Sequence, residues 1–78
     1  MFPLTITTVT KQLFAGDVRS VTLPGVSGEL TILKDHVPLI TTLKKGAITV
    51  RSSGGGEESY PVERGILEVS RSGAVVLL

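Results

Sequence analysis

The last fourteen residues, Gly65-Ile66-Leu67-Glu68-Val69-Ser70-Arg71-Ser72-Gly73-Ala74-Val75-Val76-Leu77-Leu78, decide the fold class. A glycine opens a β-branched and apolar run, Arg71-Ser72-Gly73 has the composition of a tight turn, and a valine-rich run returns, which is the pattern of a β-hairpin. No stripe of apolar residues at i, i+3, i+4, i+7 long enough for an amphipathic helix appears here or elsewhere in the chain. Upstream the same grammar repeats. Ala47 to Arg51 alternates Ile48 and Val50 with Thr49 and Arg51, and Ser52-Ser53-Gly54-Gly55-Gly56 joins it to Glu58-Ser59-Tyr60-Pro61-Val62. Pro61 has no amide hydrogen for a ladder, so this second strand belongs at a sheet edge.

Further back, Leu39 to Leu43 forms a strand between the polar loop Lys34-Asp35-His36-Val37-Pro38 and the turn Lys44-Lys45-Gly46. Leu30 and Ile32 point one way and Glu29 and Thr31 the other, as in a half-buried strand. Val18 to Leu23 reads as one strand with Val21 and Leu23 inward and Arg19 leading that row, ended by Pro24-Gly25. At the start, Leu4-Thr5-Ile6-Thr7 alternates and Thr8-Val9 shifts the phase, so a bulge in an edge strand is expected there. Composition agrees: Val, Ile and Thr supply 24 of 78 residues and Ala three, a bias towards pleated surfaces. The expectation is a single domain over residues 1–78, an all-β two-sheet sandwich or flattened barrel of about eight to ten short strands with no helix.

Several chemistries are excluded. With no cysteine, disulfide scaffolds, thiol catalysis and zinc ribbons are out. A net charge of +1 argues against a strongly basic nucleic-acid surface. The longest apolar run, Ala74 to Leu78, is far short of the roughly 18 residues of a membrane-spanning helix. No cationic stretch followed by an apolar one opens the chain, so export is not expected.

His36 is the lone imidazole, and Asp35 is only its sequence neighbour, so a role in its loop or at a partner's surface outweighs catalysis. Gly54 to Gly56 precedes a strand where a phosphate loop precedes a helix, which makes it a hairpin loop. Glu57 and Glu58 are adjacent and so point to opposite faces, which rules out a paired acid–base site. Phe2, Phe14 and Tyr60 do not interleave with Lys44, Lys45 or Arg51, so an oligonucleotide-binding barrel is only the alternative reading. A domain this small buries about 60% of its unfolded surface, yet 41% of its residues are hydrophobic. Apolar surface should stay exposed, as in an interaction module.

A string of residues runs in order along nearly the whole chain: Leu13-Phe14-Ala15-Gly16-Asp17-Val18, Val21-Thr22-Leu23-Pro24-Gly25, Gly28-Glu29-Leu30 with Ile32-Leu33, His36-Val37-Pro38-Leu39-Ile40-Thr41 with Leu43-Lys44 and Gly46, and Gly65-Ile66-Leu67-Glu68-Val69. It resembles the N-terminal domain of the epsilon subunit of F-type ATP synthases. It departs from that pattern at Thr31, at Lys34-Asp35 and at Arg64, all in loops or at strand ends.

The resemblance implies a β-sandwich at the foot of the central rotor stalk. It would bind the gamma subunit and the polar loops of the membrane rotor ring (the c ring), coupling proton flow to ATP synthesis and hydrolysis without catalysing either. It further implies Glu29, His36, Val37, Pro38 and Leu39 as partner-interface candidates. No cofactor, catalytic residue, metal, nucleic acid or membrane insertion is implied. The location implied is peripheral, on the cytoplasmic face of the inner or plasma membrane or the equivalent organelle side. Members of the family usually continue into two inhibitory helices. With the sequence stopping at Leu78, those helices are expected to be absent, and ATP is not expected to bind this chain alone.

Overall fold

A computed structural model describes residues 1–78. Nine strands follow one another: β1 (Phe2–Thr7), β2 (Gln12–Val18), β3 (Ser20–Gly25), β4 (Gly28–Leu33), β5 (Leu39–Leu43), β6 (Gly46–Arg51), β7 (Glu57–Val62), β8 (Gly65–Ser70) and β9 (Gly73–Leu77). No helix interrupts them, as the absence of 3.6-residue periodicity implied, and so no helix is long and apolar enough to cross a membrane.

Hydrogen bonding runs through all nine in the order β2-β1-β9-β8-β5-β3-β6-β7, with β4 added on β3. The sheet curls over on itself into two layers, β2-β1-β9-β8-β5 and β4-β3-β6-β7. Only β1 and β9 run parallel. The corner between layers is narrow: β3 meets β5 at the single pair Gly25–Leu43, held by Val26 N–H to Thr42 O at 3.0 Å and Lys44 N–H to Pro24 O at 2.8 Å. Each strand turns its apolar phase inward. Leu4, Ile6, Leu43, Leu67, Val69 and Val76 from the first layer meet Val21, Leu23, Ile32, Ile48, Val50 and Val62 from the second. Each such burial contributes about 1.5–3 kcal/mol relative to exposure, and this shared interior is what fixes the layers face to face.

The hairpins β6–β7 and β8–β9 stand where the alternation and turn residues placed them, and Pro61 does lie on an edge strand, since β7 pairs only with β6. Other details differ. Val18 to Leu23 is not one strand: the chain bends at Arg19, leaving β2 in the first layer and entering β3 in the second. Arg19 sits exposed at that bend, while Val18, Ser20 and Val21 are all buried, because the crossing resets which side faces the core. Pro24 and Gly25 do end β3, as its last two paired residues, opposite Glu29 and Gly28. Pro24 needs no amide hydrogen there, and the turn is made by Val26 and Ser27.

The expected bulge exists but lies in the partner strand. Ile6 pairs with Phe14 and Thr7 with Gln12, so Leu13 of β2 is the extra residue. β1 is flanked on both sides, and β2 is the edge. Thr8 and Val9 belong to the hairpin turn, where the Thr8 hydroxyl accepts hydrogen bonds from Thr10 N–H at 3.2 Å and Lys11 N–H at 3.0 Å. Such a side-chain turn shifts the phase without a bulge.

Space requires glycine at several positions, Gly25 and Gly73 among them. A Cβ on Gly25 would lie 2.7 Å from Gly28 O and 2.9 Å from Leu30 Cδ2. Gly73 combines φ of 148° with a position 2.5 Å from Pro3 O for any Cβ, which lets the β8–β9 turn tuck under the start of β1.

Candidate interaction surface

The outward phases of the two layers differ in kind. On the first layer Ile40, Glu68 and Val75 stand in one cross-strand row, and Thr42, Ile66 and Leu77 in the next, because β5 pairs with β8 and β8 with β9 in that register. Side chains in such rows are neighbours about 5 Å apart. Four of the six are large and apolar and all four are exposed, Ile40 by 73% of its surface. The face runs on into a shallow hollow of about 330 Å³ lined by Val9, Thr42, Arg64, Gly65, Ile66, Leu77 and Leu78. Val9, at the tip of the β1–β2 turn, is 88% exposed. The result is a contiguous apolar patch from Ile40 to Val9, with one carboxylate, Glu68, in its outermost row and one cation, Arg64, at the hollow.

The second layer shows hydroxyls instead. Thr31, Thr22, Thr49 and Ser59 form a row across β4, β3, β6 and β7. Thr22 and Thr31 hydroxyls lie 3.0 Å apart, Arg51 Nη1 donates to Thr22 Oγ1 at 3.0 Å, and Arg51 Nε lies 3.2 Å from Glu57 Oε2. Thr22 and Thr31 are hydrogen-bonded within this face, and its remaining hydroxyls are suited to water. The contrast singles out the first layer as the surface for a protein partner.

The residues singled out by sequence fall into two groups. Glu29 sits exposed near the start of β4, opposite Pro24. His36 follows Leu33 beyond the other end of β4, which at about 3.3 Å per residue places the two at opposite ends of the domain. One short loop cluster does not hold both. His36 to Leu39 do stay together. Asp35 adopts φ of 66°, His36 N–H donates to Leu33 O at 3.2 Å, and His36 Nδ1 donates to Val37 O at 2.8 Å. Val37 and Pro38 are exposed and share a hollow with His36 and Arg71 of the β8–β9 turn. Leu39 begins β5 opposite Val69 and packs against the core.

Exposed apolar surface is expected from composition, but the motif string points to polar loops and does not say where that surface lies. Its signal was present: Ile40, Ile66, Val75 and Leu77 are apolar residues on the phase opposite to the core positions Leu43, Leu67, Ala74 and Val76.

Chemical groups elsewhere are sparse. No three His, Asp or Glu side chains converge as a metal set would. Tyr60 donates to Glu58 Oε1 at 2.6 Å, and this hydrogen bond, helped by partial burial and the carboxylate's charge, raises the phenol above its ordinary value. Phe2 is buried and Phe14 packs against Tyr60, so the aromatic side chains are engaged within the domain.

A family model described as the β-sandwich domain of the ATP synthase delta/epsilon chain matches residues 1–78. The ATP synthase epsilon chain of Mesorhizobium japonicum is 39% identical over 67 residues, an alignment covering 86% of this chain and 50% of that one. The chain thus spans about half the length of this curated relative. A chain in the cryo-EM structure of the Euglena gracilis mitochondrial ATP synthase (OSCP/F1/c-ring) superposes with a TM-score of 0.91 at 22% identity, covering 97% of this chain and 49% of that one. One in the central stalk/c-ring structure of the Tetrahymena thermophila mitochondrial ATP synthase gives 0.84 at 15% identity, covering 97% and 61%. At those identities the two structures speak for the fold, and the sequence matches speak for kinship: this chain belongs to the family of ATP synthase delta/epsilon β-sandwich domains.

Proposed function

We propose that this chain is a non-catalytic rotor subunit of a proton-translocating ATP synthase, bound to the gamma subunit and to the c ring so that ring rotation and stalk rotation stay coupled. The observation that carries the reading is the apolar outer face of β5, β8 and β9. A rigid sandwich with one sticky face and one hydroxyl-lined face is built to be clamped on one side and wetted on the other.

Torque transfer asks only for stiffness and adhesion. The two-layer core supplies the first and the apolar rows the second, with no need for a catalytic group or bound ATP. Glu29 and the His36–Leu39 loop, at opposite ends, then meet different neighbours at the margins of the apolar contact. Pro38 limits the entropy that this loop loses on docking. The subunit sits peripherally, on the side of the membrane where the catalytic head stands, without entering the bilayer.

The test is reconstitution. ATP synthase stripped of its epsilon subunit is mixed with this chain on vesicles, and ATP-driven proton pumping and co-purification with gamma and the ring are measured. Restored pumping with stoichiometric retention supports the reading. A chain that washes away and leaves pumping uncoupled overturns it.

A further inference from the structure

Glu68 lies on the middle strand of the apolar face, in its outermost row, with Ile40 and Val75 directly across on β5 and β9, Ile66 two residues back on its own strand and the polar Ser70 two residues on. It takes no part in the molecule's single ion pair, Arg51–Glu57. Left open to water, such a carboxylate is hydrated at no cost. Once an apolar partner covers this row and the Thr42–Ile66–Leu77 row beside it, its hydration is stripped away, and an unpaired buried charge is heavily penalised.

We propose that Glu68 selects the partner of this face: the occupant is an apolar protein surface carrying one lysine or arginine placed to pair with Glu68. The proposal rests on the docking reading above and adds to it the chemistry of the contact. A purely apolar partner strands the carboxylate, and one bearing an acid opposite Glu68 is repelled, so the same side chain rejects wrong partners as well as fixing the right one. A second copy of the chain laid face to face about a two-fold axis through this row brings one Glu68 against another, so charge disfavours self-association in that register. The β-branched and leucine side chains around Glu68 supply adhesion without direction, while the ion pair fixes the register in which the two surfaces meet.

The experiment measures binding of the 78-residue chain to the purified gamma subunit of the same ATP synthase by titration calorimetry, for wild type, Ile66→Asp, Glu68→Gln and Glu68→Lys. Thermal melts check that each variant keeps the wild-type fold. Ile66→Asp should abolish binding, Glu68→Gln should weaken it by about tenfold or more, and Glu68→Lys by about a hundredfold or more. Reversal of one basic residue on gamma to Glu should restore the Glu68→Lys chain. If both Glu68 variants bind within about twofold of wild type while Ile66→Asp does not bind, the face docks but Glu68 does not select, and the proposal fails with the docking reading intact. If Ile66→Asp binds as wild type does, or wild type does not bind gamma at all, both fall.

Discussion

Phe14 of β2 and Tyr60 of β7 meet edge to face, with ring centroids 6.2 Å apart and planes inclined at 62°. They do so at a seam where the two ends of the strand order approach without pairing, since β2 bonds only to β1 and β7 only to β6. Aromatic side chains bridge that seam, whereas the successive strands from β2 round to β7 are joined by backbone hydrogen bonds. Through this seam the core residue Val50 lines a small hollow together with Phe14, Glu57 and Glu58.

If the aromatic pair is the clasp of the seam, Phe14→Ala should destabilise the domain by about 2–3 kcal/mol. A double-mutant cycle with Tyr60→Ala should show a coupling of about 0.5–1.5 kcal/mol. Urea denaturation of the four proteins measures both. Additive effects would mean that the rings merely neighbour each other.

At the corner, Gly25→Ala drives a methyl group against Gly28 O and Leu30 Cδ2 at 2.7 and 2.9 Å. The first of these is backbone and cannot step aside, so a loss of about 2 kcal/mol or more is expected. Gly54→Ala is the control, because a Cβ there meets nothing within 4 Å. Thermal melts should lower the midpoint for the first variant and leave it nearly unchanged for the second.

The Tyr60 phenol, raised first by its hydrogen bond to Glu58 and then by burial, should deprotonate above its ordinary value of 10.0. A folded-state value above the unfolded one means that this interaction stabilises the fold fully below the unfolded value and is lost as pH rises through the folded one. Absorbance of the phenolate followed from pH 8 upward should show the late midpoint, and Glu58→Gln should bring it back towards the ordinary value. A midpoint indifferent to that substitution would discount the hydrogen bond.

Ile66 and Leu67 are adjacent apolar residues on opposite faces of β8. Leu67 is wholly buried and Ile66 about half exposed, so Leu67→Ala should cost about 2–5 kcal/mol and Ile66→Ser only about 0.5–1 kcal/mol. Comparable losses on chemical denaturation would show that the outer face also serves the fold.

The sequence by itself determined what is local. Alternation in Ile48–Arg51, the turn residues Arg71-Ser72-Gly73 and the ladder-breaking Pro61 were enough for the β class, the hairpins and one edge, because each depends on neighbours a few positions away. The ordered motif string carried the family for the same reason. Tertiary structure alone decided where the chain changes layers. Arg19 and Gly25 become a bend and a corner only because β3 must leave β2's layer and touch β5, and no local periodicity encodes that crossing. It alone separated Glu29 from His36, since nothing in a polar loop states which end of a sandwich it occupies. It also chose between Ile66 and Leu67 as the core residue of β8. Where both phases of a strand are apolar, alternation cannot say which side is inside, and the inside is settled by which set interdigitates with the opposite layer, leaving the other set, with Glu68 among it, on the outer surface.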